Sequence, residues 1–492
     1  MKTVIRHPAV SSCSTAVLAN RLLGWLDCGP PVPGSRVRRL PTPLAALAWL
    51  LQCLFGNISC ENVLVRLSVA LRLPCPLLKS AYIQARGRLS LRQVAAAERS
   101  VAEHADPAAG AGLLRNRPLK AVDGVDFRTL DTPENRKKWS YPCGQKPGCG
   151  FPVVGCMAVR VLATGQMLAL AFAKWSVHDL RLFFRALARF AAGDILVADR
   201  AFDAFVFYAS LVLRSVDALC RVKSRRRNLA KLRRIRTGNP REAEEWTVRL
   251  RRPKTATSLS RKHLLALPEV LELRLIHTKI KVRGFRDEDL WLLTTLTDAE
   301  AYPAAEILRA YRMRWEIELG FRDVKTSMGA EFLRYRTPEM VVKGARFFFL
   351  ANNVMQLLAR EMLGSAVEFR LSFKGSLPVM ADYLLSLLNG EDAETLVAGL
   401  APTLECLRYR RRKRPSQPRA IKQRPKNYAV LNKPRHEYQE TFHRNRCGKA
   451  PYLTDIRACP LFSPFSDDFL EQIKKRHGPV RIEKLRFFRC LR

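Results

Sequence analysis

Four apolar residues, Ile195 to Ala198, stand between Asp194 and Asp199 in DILVAD, and this stretch leaves the chain little choice of fold. The run is compact and has turn signals on both sides, so it reads as a buried strand with both faces covered. Its neighbours supply the rest of a layered domain. Three short β-branched or apolar segments from Leu119 onward, LKAVDGVDFRTL, FPVVGCMAVRVL and QMLALAFAKW, are separated by Gly and Pro clusters. A helical stretch over 178–192 follows, then the strand, a short helix over 203–213 and another strand over 218–222. The order β-β-β-α-β-α-β implies an α/β class, a mixed sheet with helices packed on it.

The flanks differ in texture. Residues 1–115 read as helical, with apolar residues at helical spacing over 43–55, 61–73 and 80–100 and Gly87 interrupting the third. That third stretch carries Arg86, Arg88, Arg92 and Arg99, either a DNA-facing helix or a solvated face. Residues 221–236 hold nine Lys or Arg and no acid, and from there to about 289 the chain alternates like strands (EWTVRLRR, LELRLIHTKIKV). This reads as a β-rich insertion, because a strand at 290–296 and a long helix from about Ala304 resume the α/β style. Residues 408–426 form a second basic block, with ten Lys or Arg and three prolines, expected to be extended.

Charge narrows the partners. Lys and Arg number 85 against 44 Asp and Glu, so 85 − 44 gives a net charge of +41, an excess that calls for a polyanion. An anionic membrane fits less well than nucleic acid. The longest apolar run, at 44–55, contains Gln52 and falls short of the roughly 18 residues of a spanning helix. The N-terminus lacks the clean apolar stretch of a signal peptide, so a cytoplasmic protein is expected. Thirteen cysteines include no Cys-x-x-Cys pair. Cys143, Cys149 and Cys156 with His178 have wider gaps than usual zinc ligands, so core or loop thiols are the default reading.

The chemistry concentrates in YRMRWEIELGFRDVK. On a helix turning about 100° per residue, with Tyr311 at 0°, Arg314 falls at about −60°, Glu318 at about −20° and Lys325 at about −40°. Glu316 and Asp323 point elsewhere. A phenol, two cations and one carboxylate on a single stripe suit a surface that grips a phosphodiester and offers one metal ligand. Further acids sit at strand positions: Asp199 where DILVAD ends, and Asp123 or Asp126 in LKAVDGVD, whose opposite parity lets only one of the two share the site face. Three carboxylates on two strands and a helix suit two Mg²⁺ or Mn²⁺ ions.

Tyr311, Arg314, Glu318 and Lys325 match Y-x2-R-x3-E-x6-K, which resembles the signature of the insertion-sequence-four family of bacterial DDE transposases. Asp123-Gly124 with DTPEN at 131–135 is similar to the family's first-aspartate block, and Asp199-Arg200-Ala201-Phe202 to its second. The 118 residues between Asp199 and Glu318 fit the family's β-strand insertion, and SAYIQARGRLS resembles its N-terminal region. The resemblance spans roughly residues 40–430. It implies a ribonuclease-H-like core, with Asp123, Asp199 and Glu318 as catalytic metal ligands for Mg²⁺ or Mn²⁺. It further implies that Tyr311, Arg314 and Lys325 grip phosphates and that Trp291 stacks on a flipped base; Arg200, next to the site, is expected either to bind phosphate or to pair with a site carboxylate. The implied reaction is cut-and-paste transposition through a hairpin, with double-stranded DNA (terminal inverted repeats and target) as partner.

The expected division is a helical end-binding region at 1–115, catalytic core at 116–223 and 290–365, the β-rich insertion at 224–289, and a helical then basic region at 366–492. A homodimer on DNA, nucleoid-associated, is expected because two ends must be held together. Two other readings remain at this stage. One is an inactive DNA-binding relic or repressor of the element. The other is a simple metal-dependent nuclease, which would leave the Tyr311/Arg314/Lys325 stripe harder to explain.

Overall fold

The structure, a computed structural model, describes residues 40–104, 112–142, 150–223, 235–236, 243–280, 288–363, 371–389 and 391–408. Most of both basic blocks, Cys143, Cys149 and the tail after about 440 lie outside the described residues. The described residues other than Gly150 fall in one compact unit.

Four helices come first: α1 (Thr42–Leu54), α2 (Cys60–Ala70), α3 (Lys79–Arg88) and α4 (Leu91–His104). Every residue from Ala45 to Leu54 is buried, as befits a helix apolar all round. The single helix expected over 80–100 is two. Ser90 ends the first and caps the second: its hydroxyl accepts from the Gln93 N–H at 3.2 Å, and its own N–H donates to Gln93 Oε1 at 2.8 Å. This reciprocal cap was readable in S-L-R-Q and outweighs the periodicity. Arg86 is also not a solvated cation, being buried over the rings of Tyr82 (4.5 Å) and Trp49 (5.1 Å).

The sheet follows. Its strands are β1 (Leu119–Thr129), β2 (Val153–Val161), β3 (Met167–Lys174), β4 (Ile195–Ala198), β5 (Asp217–Arg221), β6 (Ile235–Arg236), β7 (Glu244–Arg251), β8 (Val270–Ile280), β9 (Glu288–Thr294) and β10 (Phe332–Leu333). Interspersed are α5 (Pro133–Lys138), α6 (Asp179–Ala186), α7 (Phe205–Val212), α8 (Arg261–Leu265), α9 (Ala304–Arg312), α10 (Trp315–Arg322), α11 (Pro338–Leu363), α12 (Phe373–Leu388) and α13 (Ala393–Cys406).

All ten strands form one sheet in the order β3-β2-β1-β4-β5-β9-β8-β7-β6, with β10 alongside β1. β1, β2 and β3 are antiparallel, while β1, β4 and β5 run parallel. That half, with helices on both faces, is the ribonuclease-H-like arrangement, and the expected α/β mixed sheet is present. β4 is buried on both sides: Ile195 and Val197 join the cluster that includes the helices α1–α4 and α9–α13, and Leu196 and Ala198 join the one with α6–α8.

The chain between β5 and β9 extends the same sheet through β6, β7 and β8. β9 carries it back, pairing antiparallel with β5 through Leu219–Thr294, Cys220–Leu293 and Arg221–Leu292. A buried ion pair fastens this extension. Arg274 Nε donates to Glu245 Oε2 at 2.6 Å while its Nη1 donates to the Tyr302 carbonyl at 2.6 Å, just before α9. Among the described residues no helix is long and apolar enough to cross a membrane.

Candidate active site

β1 outruns its parallel neighbour. β4 pairs only with residues 119–122, and β10 takes up the same edge at Arg128 and Thr129, so Asp123 lies where β4 has just ended. Asp199 is the first residue past β4. Asp199 thus stands at the carboxyl end of β4, and Asp123, midway along β1, stands level with it, where the end of β4 opens a crevice in the sheet. Ala121, Val125 and Phe127 share Asp123's parity and pack on the cluster containing α9 and α10, whereas Val122 packs on the opposite cluster. Asp126 therefore faces away from α10.

Arg314 ties the helix to the strands. Its Nη1 donates to Glu318 Oε1 at 2.8 Å and lies 4.0 Å from Asp123 Oδ2. Burial pushes the Asp123 carboxyl up to about 7, with the Asp199 charge adding to the rise and the Gly124 N–H, 2.8 Å from Asp123 Oδ1, opposing it. Asp199 Oδ1 accepts from the Ala201 N–H at 2.7 Å, capping a short 3₁₀ turn, so it is a strand-end cap as well as a member of this cluster. Tyr311 is buried, its phenol pushed up to about 12 by burial, within electrostatic reach of Arg314 and Asp199.

The continuous helix expected through 311–325 is not present. α9 stops at Arg312, the Arg314 N–H bonds to Tyr311 and the Ile317 N–H to Arg314, three residues back in each case, and the segment Asp323–Ser327 is π-helical. Tightening at 313–317 and widening at 323–327 alter the turn per residue, so the four-residue stripe does not stay in phase. Tyr311, Arg314 and Glu318 remain with Asp123 and Asp199. Lys325 acts on Asp126, where burial and the Asp179 charge raise the carboxyl and the lysine opposes them. Arg200 is exposed on the 3₁₀ turn after Asp199. Trp291, on β9, stacks on His277 (centroids 4.0 Å, 19°) and against Trp246 (5.7 Å, 16°).

One carboxylate escaped the sequence reading. A Cβ on Gly124 would sit 2.5 Å from Asp179 Oδ1, so the Asp179 carboxylate lies directly on the glycine beside Asp123. Burial raises the Asp179 carboxyl, and the Asp199 charge adds to this while His178 opposes it. At the first position of α6 it looks like an ordinary helix-start acid. The signal that points to it is Gly124, since a glycine inside a strand marks a close approach.

The donor set fits a hard divalent cation. It is all oxygen, and burial, with the Asp199 charge adding to it, disposes Asp123 to hold a proton that a cation can replace. Among the described residues no three His, Cys, Asp or Glu side chains are gathered closely enough to hold a metal ion, and Glu318 is turned onto Arg314. Completing the set requires Glu318 to exchange that guanidinium for the ion. Cys156 is buried in β2, its thiol pushed up by burial.

The chain is similar to known transposases. The family described as Transposase DDE domain matches residues 116–354, which span β1 through most of α11. Transposase InsG for insertion sequence element IS4, from Escherichia coli (strain K12), is 25% identical over 411 residues, 81% of this chain and 89% of that protein. The transposase for insertion sequence element IS421, from Escherichia coli, is 32% identical over 78 residues, 16% of this chain and 20% of that protein. Among solved structures, piggyBac transposase in a synaptic complex with hairpin DNA has a TM-score of 0.39 at 12% identity, covering 84% of this chain and 85% of that one. Residues 116–354 thus match the family described as Transposase DDE domain, and over most of its length the chain is similar to the transposase of insertion sequence element IS4.

Proposed function

We propose that this protein is a transposase that cuts the ends of its own insertion element by phosphodiester hydrolysis and joins the freed 3′-OH ends to target DNA, by way of a hairpin. The observation that carries the reading is the convergence of Asp123, Asp199 and the Arg314–Glu318 pair on one side of the sheet, where β4 ends. Asp123, Asp199 and Glu318 would hold two Mg²⁺ or Mn²⁺ ions, which would supply positive charge for in-line phosphoryl displacement.

The protein's own groups orient the DNA. Arg314, whose Nη1 meets Glu318 and lies near Asp123, is freed when Glu318 turns to the ions and presents its N–H groups to a phosphate oxygen. Tyr311 keeps its proton at neutral pH and so donates to a phosphate. Arg200 and Lys325 grip the backbone on either side, and Trp291 receives a base turned out of the stack.

The helical region at 1–115 binds element ends, residues 116–223 and 290–365 form the core, 224–289 the insertion, and 366–492 serves DNA contact or oligomerisation. The working form is a homodimer on DNA in the bacterial cytoplasm. The test is cleavage and joining of a labelled duplex carrying the element's own flanking end, with Mg²⁺, for wild type and Glu318→Gln. Metal-dependent cutting and joining that disappear in the variant while DNA binding survives would support the reading. Binding without cleavage by either protein would overturn it and leave a DNA-binding relic.

A further inference from the structure

A cavity of about 630 Å³ opens on the sheet face away from α10, between α6, the first turn of α7 and the 253–258 loop that leaves β7. It lies in the size range of small-ligand sites, roughly 300–1,000 Å³. Arg181, Lys223 and Arg251 line it together with the hydroxyls of Thr255, Thr257 and Ser258, and none of its lining residues is an Asp or Glu. The first turn of α7 adds the positive end of a helix dipole to the same wall.

The walls come from two parts of the fold. Arg181 Nη2 donates to the Thr257 carbonyl at 2.5 Å, so the core helix α6 holds the insertion loop in place over the cavity. Its rim is next in the chain to acids near the catalytic strands, one of which, Asp179, feels the Asp199 charge. His178, on its rim, immediately precedes Asp179, whose carboxylate rests on Gly124, and the Lys223 N–H donates to Asp203 Oδ2 at 2.9 Å, four residues beyond Asp199.

We propose that this cavity is a phosphodiester site for an unpaired stretch of the DNA strand at the cleavage point. Three cations and several hydroxyls without a balancing acid select an anion rich in oxygen acceptors. A recess of this volume admits a nucleotide but not a duplex, so the strand that enters has left its complement. The site needs the insertion loop for one wall, which gives the extension beyond β5 a direct contact with substrate beside the reacting phosphate. The inference rests on the transposase reading, and its test separates the two.

The test uses element-end duplexes with an unpaired flank, each carrying one neutral methylphosphonate linkage at a different position. Binding is measured against salt for wild type, Lys223→Gln, Arg251→Gln and the control Arg249→Gln, whose exposed guanidinium pairs with Glu272 at 3.0 Å. One linkage in the unpaired flank should lower the slope of log affinity on log salt by about 0.7 in wild type. Lys223→Gln and Arg251→Gln should lower it similarly on unmodified DNA and become indifferent to that linkage, while Arg249→Gln behaves as wild type. The wild-type series alone keeps the test valid if a variant fails to fold. Sensitivity confined to paired DNA, or variant and linkage effects that simply add, would overturn the cavity while leaving the transposase reading intact. Failure of wild type to bind element-end DNA would overturn both.

Discussion

Asp123→Asn should make the metal-free protein more stable at neutral and alkaline pH. The Asp123 carboxyl rises from an ordinary 3.8 to about 7, because it is buried and faces Asp199. In that window the folded chain holds a proton that the unfolded chain has released, so stability falls as pH rises, by 1.36 kcal/mol per pH unit. The full rise caps the penalty at about 4 kcal/mol. The Asp123 side chain keeps 22% of its exposure, so about half of that cap is expected. Urea unfolding in EDTA should show wild type losing about 1 to 2 kcal/mol more than Asp123→Asn between pH 5 and pH 8. Adding Mg²⁺ at pH 8 should stabilise wild type and have much less effect on the variant. Parallel stability curves for the two proteins would refute the argument, since they would mean that Asp123 ionises as freely in the folded chain as in the unfolded one.

Two other perturbations test particular contacts. Gly124→Ala places a methyl 2.5 Å from Asp179 Oδ1 and must displace that carboxylate; a drop of about 10²-fold in cleavage with unchanged DNA binding is expected, and full activity would remove Asp179 from the site. Arg274→Ala leaves Glu245 charged and buried beneath the insertion; a loss of about 3–5 kcal/mol is expected in urea unfolding, largely recovered when Glu245→Leu accompanies Arg274→Met.

Much of the sheet was legible because its strands announce themselves locally. DILVAD could only be a strand covered on both faces, and the opposite parity of Asp123 and Asp126 follows from the pleat alone. Helix continuity was less legible. The Ser90–Gln93 cap was present in the letters but was outranked by periodicity, and the tightened and widened turns around α10 have no local mark, since they arise from packing. Arg86 defeated charge counting: Tyr82, four residues back on the same helix, was in the letters, but only the tertiary fold brings Trp49 against it and buries it. Asp179 was missed for a related reason: Gly124 says that something approaches closely, and the sequence does not say what.

The seam between β5 and β9 has a mechanical consequence. Whatever load DNA places on β6, β7 and β8 enters the catalytic half of the sheet across three residue pairs, reinforced by Thr294 Oγ1 on the Ala218 carbonyl and Thr295 Oγ1 on Asp217. Those pairs run along the strand whose far side is hydrogen-bonded to β4, which ends at Asp199. A pull on the outer strands is therefore felt as shear one strand away from that aspartate, so the outer strands act as a lever arm with its fulcrum at the β5–β9 seam.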